Sequence, residues 1–103
     1  MTLPRREYGR EGTRLSIVGF GGMLVAGAEP QQASRLVGEA VERGVNYFDV
    51  APTYRDAEHV LGPALAPYRK SVFLACKTTE RQRAAAEAEL AQSLERLQTD
   101  HLD

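Results

Sequence analysis

The sequence predicts an α/β fold built on a parallel sheet covered by helices, and two observations carry that expectation. Short apolar, β-branched or aromatic runs occupy residues 15–20, 45–48 and 72–76, each of the length of a buried strand. Longer stretches whose apolar residues recur at helical spacing lie between and after them. Strand and helix therefore alternate three times. Parallel neighbours need helical crossovers, which are right-handed, so the sheet either stays open or closes into a barrel.

Each element has its own justification. Residues 8–16 (YGREGTRLS) set a Gly-containing turn between short polar arms, which predicts a small hairpin ahead of the first strand. In the first helical stretch Ala33, Leu36, Val37, Ala40 and Val41 fall on one face, and Gly44 ends the helix. The second runs from Asp56, a plausible N-cap, to about residue 66, with Val60, Leu61, Ala64 and Leu65 as its buried face. Gly62 and Pro63 fall mid-pattern, and Pro63 cannot donate to the carbonyl of His59, so a kink or early break is expected there. The third, residues 82–97, carries the stripe Ala86, Leu90, Leu94 and Leu97 and is rich in the strong helix formers Ala and Glu. His101, Leu102 and Asp103 read as the opening of a fourth strand.

Composition narrows the function classes. At 103 residues the chain holds one domain at most. Apolar residues make up 43% and charged residues 26%, the balance of a globular chain rather than a disordered one. The net charge of -1, with basic residues only in scattered pairs such as Arg5–Arg6 and Arg69–Lys70, argues against nucleic acid and anionic membrane as partners. No stretch has the length and apolarity of a membrane span or a signal peptide. A single cysteine, Cys76, permits no intrachain disulfide and fits a reducing compartment, so the expected location is the cytoplasm.

In parallel α/β folds functional residues collect at the C-terminal ends of strands. Asp49 directly follows the second apolar run, Lys77 directly follows the third, and Gly21, Gly22 and Met23 follow the first. Tyr54 stands in the loop beyond Asp49 and can fold back over the same rim. Singly, each has an ordinary structural explanation: a capping Asp, a packed Tyr, a solvated Lys. Together they form a specific arrangement. A cation beside a phenol favours the phenolate and so eases loss of the phenolic proton, and a carboxylate beside the cation keeps it charged. Such a tyrosine is equipped to protonate a developing alkoxide.

The run GVNYFDVAPTY over residues 44–54, followed by Ala57, Glu58, Leu61 and Gly62, closely resembles the signature of the aldo-keto reductase family. The resemblance extends to LSIVGFGGM at residues 15–23, VFLACKT at 72–78 and SLERLQTDHLD at 93–103, four motifs in the family's order. It implies that the chain is the N-terminal part of a (β/α)8 TIM barrel: a hairpin, about three βα units and the start of a fourth strand, with residues 1–103 forming one partial oxidoreductase domain. It also implies hydride transfer from NADPH, less often NADH, to an aldehyde or ketone, the small carbonyl substrate of the complete enzyme. In that scheme Tyr54 is the proton donor, Lys77 tunes it, and Asp49 pairs with Lys77 near the nicotinamide ribose. Gly21, Gly22 and Met23 would face the cofactor.

Two positions depart from the family pattern: Val50 stands where many relatives have Thr, and Arg55 where many have Gly. Both are expected to tune loop shape and local charge. The family's catalytic His follows the fourth strand, beyond residue 103. His59, expected to face solvent or support structure on the second helix, is no substitute, and neither is His101, near the N-terminal end of the fourth strand. Cys76 reads as a buried strand residue, and its place beside Lys77 leaves an oxidation-sensitive thiol as the alternative.

A barrel of this type takes about 250 residues. The expectation is therefore a truncated fragment that is inactive alone, binds no cofactor tightly, and exposes an open sheet edge through which it self-associates. A non-catalytic half-barrel module that binds itself or a partner through that edge is the alternative. The motif order argues against a third reading, an open doubly wound nucleotide-binding domain.

Overall fold

The computed structural model describes residues 2–103. The order is β1 (Arg5–Tyr8), β2 (Thr13–Ser16), β3 (Phe20–Gly21), a 3-10 turn (Gly22–Val25), α1 (Pro30–Glu42), β4 (Tyr47–Asp49), α2 (Ala57–Leu65), a second 3-10 turn (Ala66–Ser71), β5 (Phe73–Ala75) and α3 (Arg83–Leu97). Strands β1 and β2 form an antiparallel hairpin. Strands β3, β4 and β5 form the expected parallel sheet in that order, with Phe20 opposite Phe48, Phe48 opposite Leu74 and Asp49 opposite Ala75.

The first apolar run is not one strand, as the sequence reading had it. Leu15 and Ser16 close the hairpin, Ile17 and Val18 are exposed on a bend, and only Phe20 and Gly21 join the parallel sheet. Polar groups make this break. Ser16 Oγ donates to Val18 O at 2.7 Å, while buried Asn46 accepts from Ser16 N at 2.7 Å and donates from Nδ2 to Arg14 O at 2.9 Å. Asn46 thus ties the hairpin to the start of β4. Two aromatic contacts extend the tie: Tyr8 meets Phe73 edge-on at 5.5 Å, and Phe73 meets Tyr47 at 5.8 Å.

Helix α1 starts at Pro30, whose fixed φ suits the first helical position, with the Glu29 N–H donating to Gln32 Oε1 at 3.3 Å. Ala33 and Val37 are buried as expected, but Leu36 is exposed beside Leu24. In α3, Leu97 and Ser93 are buried, whereas Leu90 faces outward, so the expected stripe is only half covered.

Of the kink or early break expected at Pro63, the early break does not occur. Helix α2 continues through Pro63 to Leu65, and Ala66 N donates to Gly62 O. Gly62 has a packing reason instead: a Cβ there would lie 2.7 Å from Arg96 O, so α2 and α3 approach backbone to backbone. Asp56 stands at the N-cap position but makes no capping bond; its Oδ1 accepts from Gly27 N at 2.7 Å.

Side chains along β4 and β5 alternate between two environments. Phe48 and Leu74 point to the helices and are fully buried with Val25, Val37, Val50, Leu61 and Leu65. Tyr47, Asp49, Phe73 and Ala75 point to the other face and are half-buried. After α3, Gln98 takes a left-handed turn (φ 55°) and the chain meets β5 at Asp103. Asp103 N donates to Leu74 O at 2.9 Å, and Asp103 Oδ2 accepts from Leu74 N and from Arg69, each at 3.0 Å. The fourth strand of the sequence reading is present as this edge pairing rather than as a regular strand.

Candidate active site

Parallel register brings the chemistry-bearing residues to one rim. Asp49 ends β4 beside Gly21 and opposite Ala75, and Val50 N donates to Ala75 O at 2.9 Å, carrying the ladder one residue further. Lys77 lies two residues beyond Ala75, so the period of two places it on the face of Asp49. Its Nζ donates to Asp49 Oδ2 at 2.8 Å and to Val50 O at 3.3 Å. The same ammonium sits 5.3 Å from the centroid of the Tyr54 ring, within cation–π range.

Tyr54 reaches the rim through a turn in which its N–H donates to Ala51 O at 3.1 Å and its carbonyl accepts from Ala57 N at 3.0 Å. Arg55 follows in the left-handed region (φ 55°), the conformation that makes Gly the easier residue there. Lys77 is pushed above the ordinary lysine value. Burial, the largest single influence, pulls it down, but the hydrogen bond and charge of Asp49, with smaller help from Tyr54, outweigh it together. The amine is thus held as a cation at neutral pH.

Gly22 lies against Asp49: a Cβ would come within 2.6 Å of Asp49 O, so only Gly lets the 3-10 turn start there. Gly21 has open space on its side-chain face, and Met23 is exposed on the turn. The structure therefore brings Asp49, Tyr54 and Lys77 together with Gly21 and Gly22 alongside, and Met23 is exposed on the turn that begins at Gly22.

The remaining candidates lie apart from this trio. His59 is exposed on α2, and His101 is exposed and shares a 2.7 Å contact with Asp100. The Cys76 thiol is pushed up chiefly by burial and donates to Glu58 Oε2 at 3.4 Å, which holds it protonated and disfavours the reactive thiolate. Two residues near the rim, Asp56 and Glu58, have parts that the sequence reading did not assign. Asp56 secures the loop after β3, and Glu58 is buried in the first turn of α2. The available signal for Glu58 was its place three residues before Leu61, on the apolar face of the helix. Among the described residues no His, Cys, Asp and Glu group could hold a metal ion, and no helix is long and apolar enough to cross a membrane.

Comparison with known proteins gives a consistent picture. The model of the aldo/keto reductase family matches residues 17–103. The uncharacterised oxidoreductase YqkF of Bacillus subtilis is 31% identical, over 96% of this chain and 37% of its own length. The aldo-keto reductase YhdN of the same organism is 30% identical, over 94% of this chain and 34% of its own. The holo form of the aldo-keto reductase AKR11C1 from Bacillus halodurans superposes with a TM-score of 0.85 and 31% identity, over 98% of this chain and 38% of that one. The chain spans just over a third of the length of the curated relatives it matches, and the shared fold is an N-terminal part of the barrel.

Proposed function

We propose, from the premise that this chain belongs to the aldo/keto reductase family, that its rim is the proton-transfer part of a nicotinamide-dependent carbonyl reductase. The observation that carries the proposal is the single ammonium shared by carboxylate and phenol: Lys77 at 2.8 Å from Asp49 and 5.3 Å from the Tyr54 ring centroid. In this reading the Tyr54 hydroxyl binds the carbonyl oxygen of an aldehyde or ketone and gives it a proton as negative charge develops there. Lys77, kept charged by Asp49, stabilises the phenolate left behind. Asp49 also orients the amine, and Tyr54 is oriented by the turn that leads into α2.

The residues present fit a nicotinamide cofactor. The face beside Gly21 and Asp49 is open, and the Gly22 turn keeps the loop after β3 tight against the strand end. Gly21, Gly22 and Asp49 would hold NADPH, or NADH, near the rim, with Met23 flanking it; when bound, the cofactor supplies the hydride. The described residues carry three parallel strands with one open face, so turnover is expected only when they are joined to further barrel strands.

The test replaces the matching segment of a similar reductase with this chain and follows NADPH oxidation with an aromatic aldehyde. Turnover lost on Tyr54→Phe supports the reading; a Tyr54→Phe chimaera that retains turnover overturns it. The 103-residue polypeptide alone is expected to show none. The exposed side chains of Tyr8, Ile17 and Val18 favour a second reading, self-association of the isolated chain, which light scattering would show as a defined dimer.

A further inference from the structure

Glu58 is the one buried carboxylate among the described residues, with a side chain 3% exposed, and the proposed proton transfer makes no use of it. Enclosing a carboxylate is costly unless its oxygens are paired. Both are. Oε1 accepts from Arg96 Nη1 of α3 at 3.2 Å, and Oε2 accepts from the Cys76 thiol at 3.4 Å. These partners matter because of their neighbours. Cys76 immediately precedes Lys77, and Glu58 stands four residues beyond Tyr54 in the helix that the Tyr54 turn runs into. Ser93, whose hydroxyl is buried, lines the same groove as Cys76.

We propose that Glu58 is a positioning residue: by holding the Cys76 thiol from the start of α2, it sets how closely the Lys77 amine approaches Tyr54 and Asp49. The tie runs across the molecule from the element that carries the phenol to the strand end that carries the amine. Asp56 makes a parallel tie from the same helix start to Gly27, in the loop after β3. The start of α2 therefore gathers the segments that form the rim. The inference rests on the assignment of the trio under the proposed function.

The test uses the 103-residue chain and reads the titration midpoint of the Lys77 ε-carbon by NMR, with thermal melting as a control for folding. Asp49→Asn lowers the midpoint the most, by about 0.7 pH unit, because the nearest opposite charge is gone. Cys76→Ala leaves every charge in place, and lowers the midpoint by about half a unit if the tie positions the amine. Cys76→Ser, whose hydroxyl can still donate to Glu58, restores the wild-type midpoint. Glu58→Gln lowers it as well. A folded Cys76→Ala chain with the wild-type midpoint overturns the inference, since any effect of Glu58→Gln would then be one of charge alone. A midpoint that Asp49→Asn does not move instead sinks the trio, and the inference with it.

Discussion

The two faces of the parallel sheet are made by alternate residues of the same short strands, yet they serve different ends. Toward the helices, Phe48 and Leu74 are fully buried among Val37, Leu61 and Leu65. On the opposite face, one residue away along β4 and β5, Tyr47, Asp49, Phe73 and Ala75 stay half-exposed, with Lys77 beyond them. The period of two in a strand separates stability from chemistry: the first face holds the rim's backbone still, so the second can carry charge. A polar group on the helix face would be costly, whereas on the open face Asp49 and Lys77 keep part of their hydration, with side chains 35% and 44% exposed.

The strongest way to break this contrast is Phe48→Ala. Removing a fully buried ring from the centre of the helix face should cost about 3–5 kcal/mol, enough to unfold much of a small domain, as urea denaturation would measure. Gly62→Ala is expected next, at about 1–3 kcal/mol, because the added methyl meets the α3 backbone at Arg96 and Leu97 and backbone cannot rotate away. A melt unchanged by this substitution would mean that α2 and α3 do not touch there.

Alkaline titration tests both sides of the sheet at once. The Cys76 thiol is held above its ordinary 9.0 and the Lys77 amine above its ordinary 10.5. A raised value means the fold favours the protonated form. The stabilisation is therefore complete below those ordinary values, and it is lost as pH rises through the raised ones. The melting temperature should hold through neutral pH and fall above about pH 9. Cys76→Ala should remove the earlier part of that fall, leaving the part that belongs to Lys77.

The smallest effect on stability is expected on the open face. Asp49→Asn should change the unfolding free energy by no more than about 1 kcal/mol, since a half-exposed ion pair is well screened. A larger loss would mean that the rim helps hold the fold, and would erase the distinction between the faces.

Much of this was legible in the sequence, and the exceptions share a cause. The order of strands and helices, the placement of Asp49 and Lys77 at strand ends and the family resemblance all follow from local patterns: apolar runs, helical spacing and motif order. The misreadings arise where a distant partner overrode a local preference. The run over residues 15–20 looks like one strand until Asn46, thirty residues on, captures the backbone of Ser16. Gly62 and Pro63 look like a helix break until α3 lies against them. Asp56 looks like a cap until Gly27 claims its carboxylate.

By itself, then, the sequence determined the α/β class, the family and the residue types able to move a proton, because these are written in spacing and side-chain chemistry. Only the tertiary structure decided that one ammonium serves both Asp49 and Tyr54, and that buried Glu58 joins the phenol's helix to the amine's strand. Those are distances between residues far apart along the chain, and they exist only once packing against the helices has put β4, β5 and α2 in register.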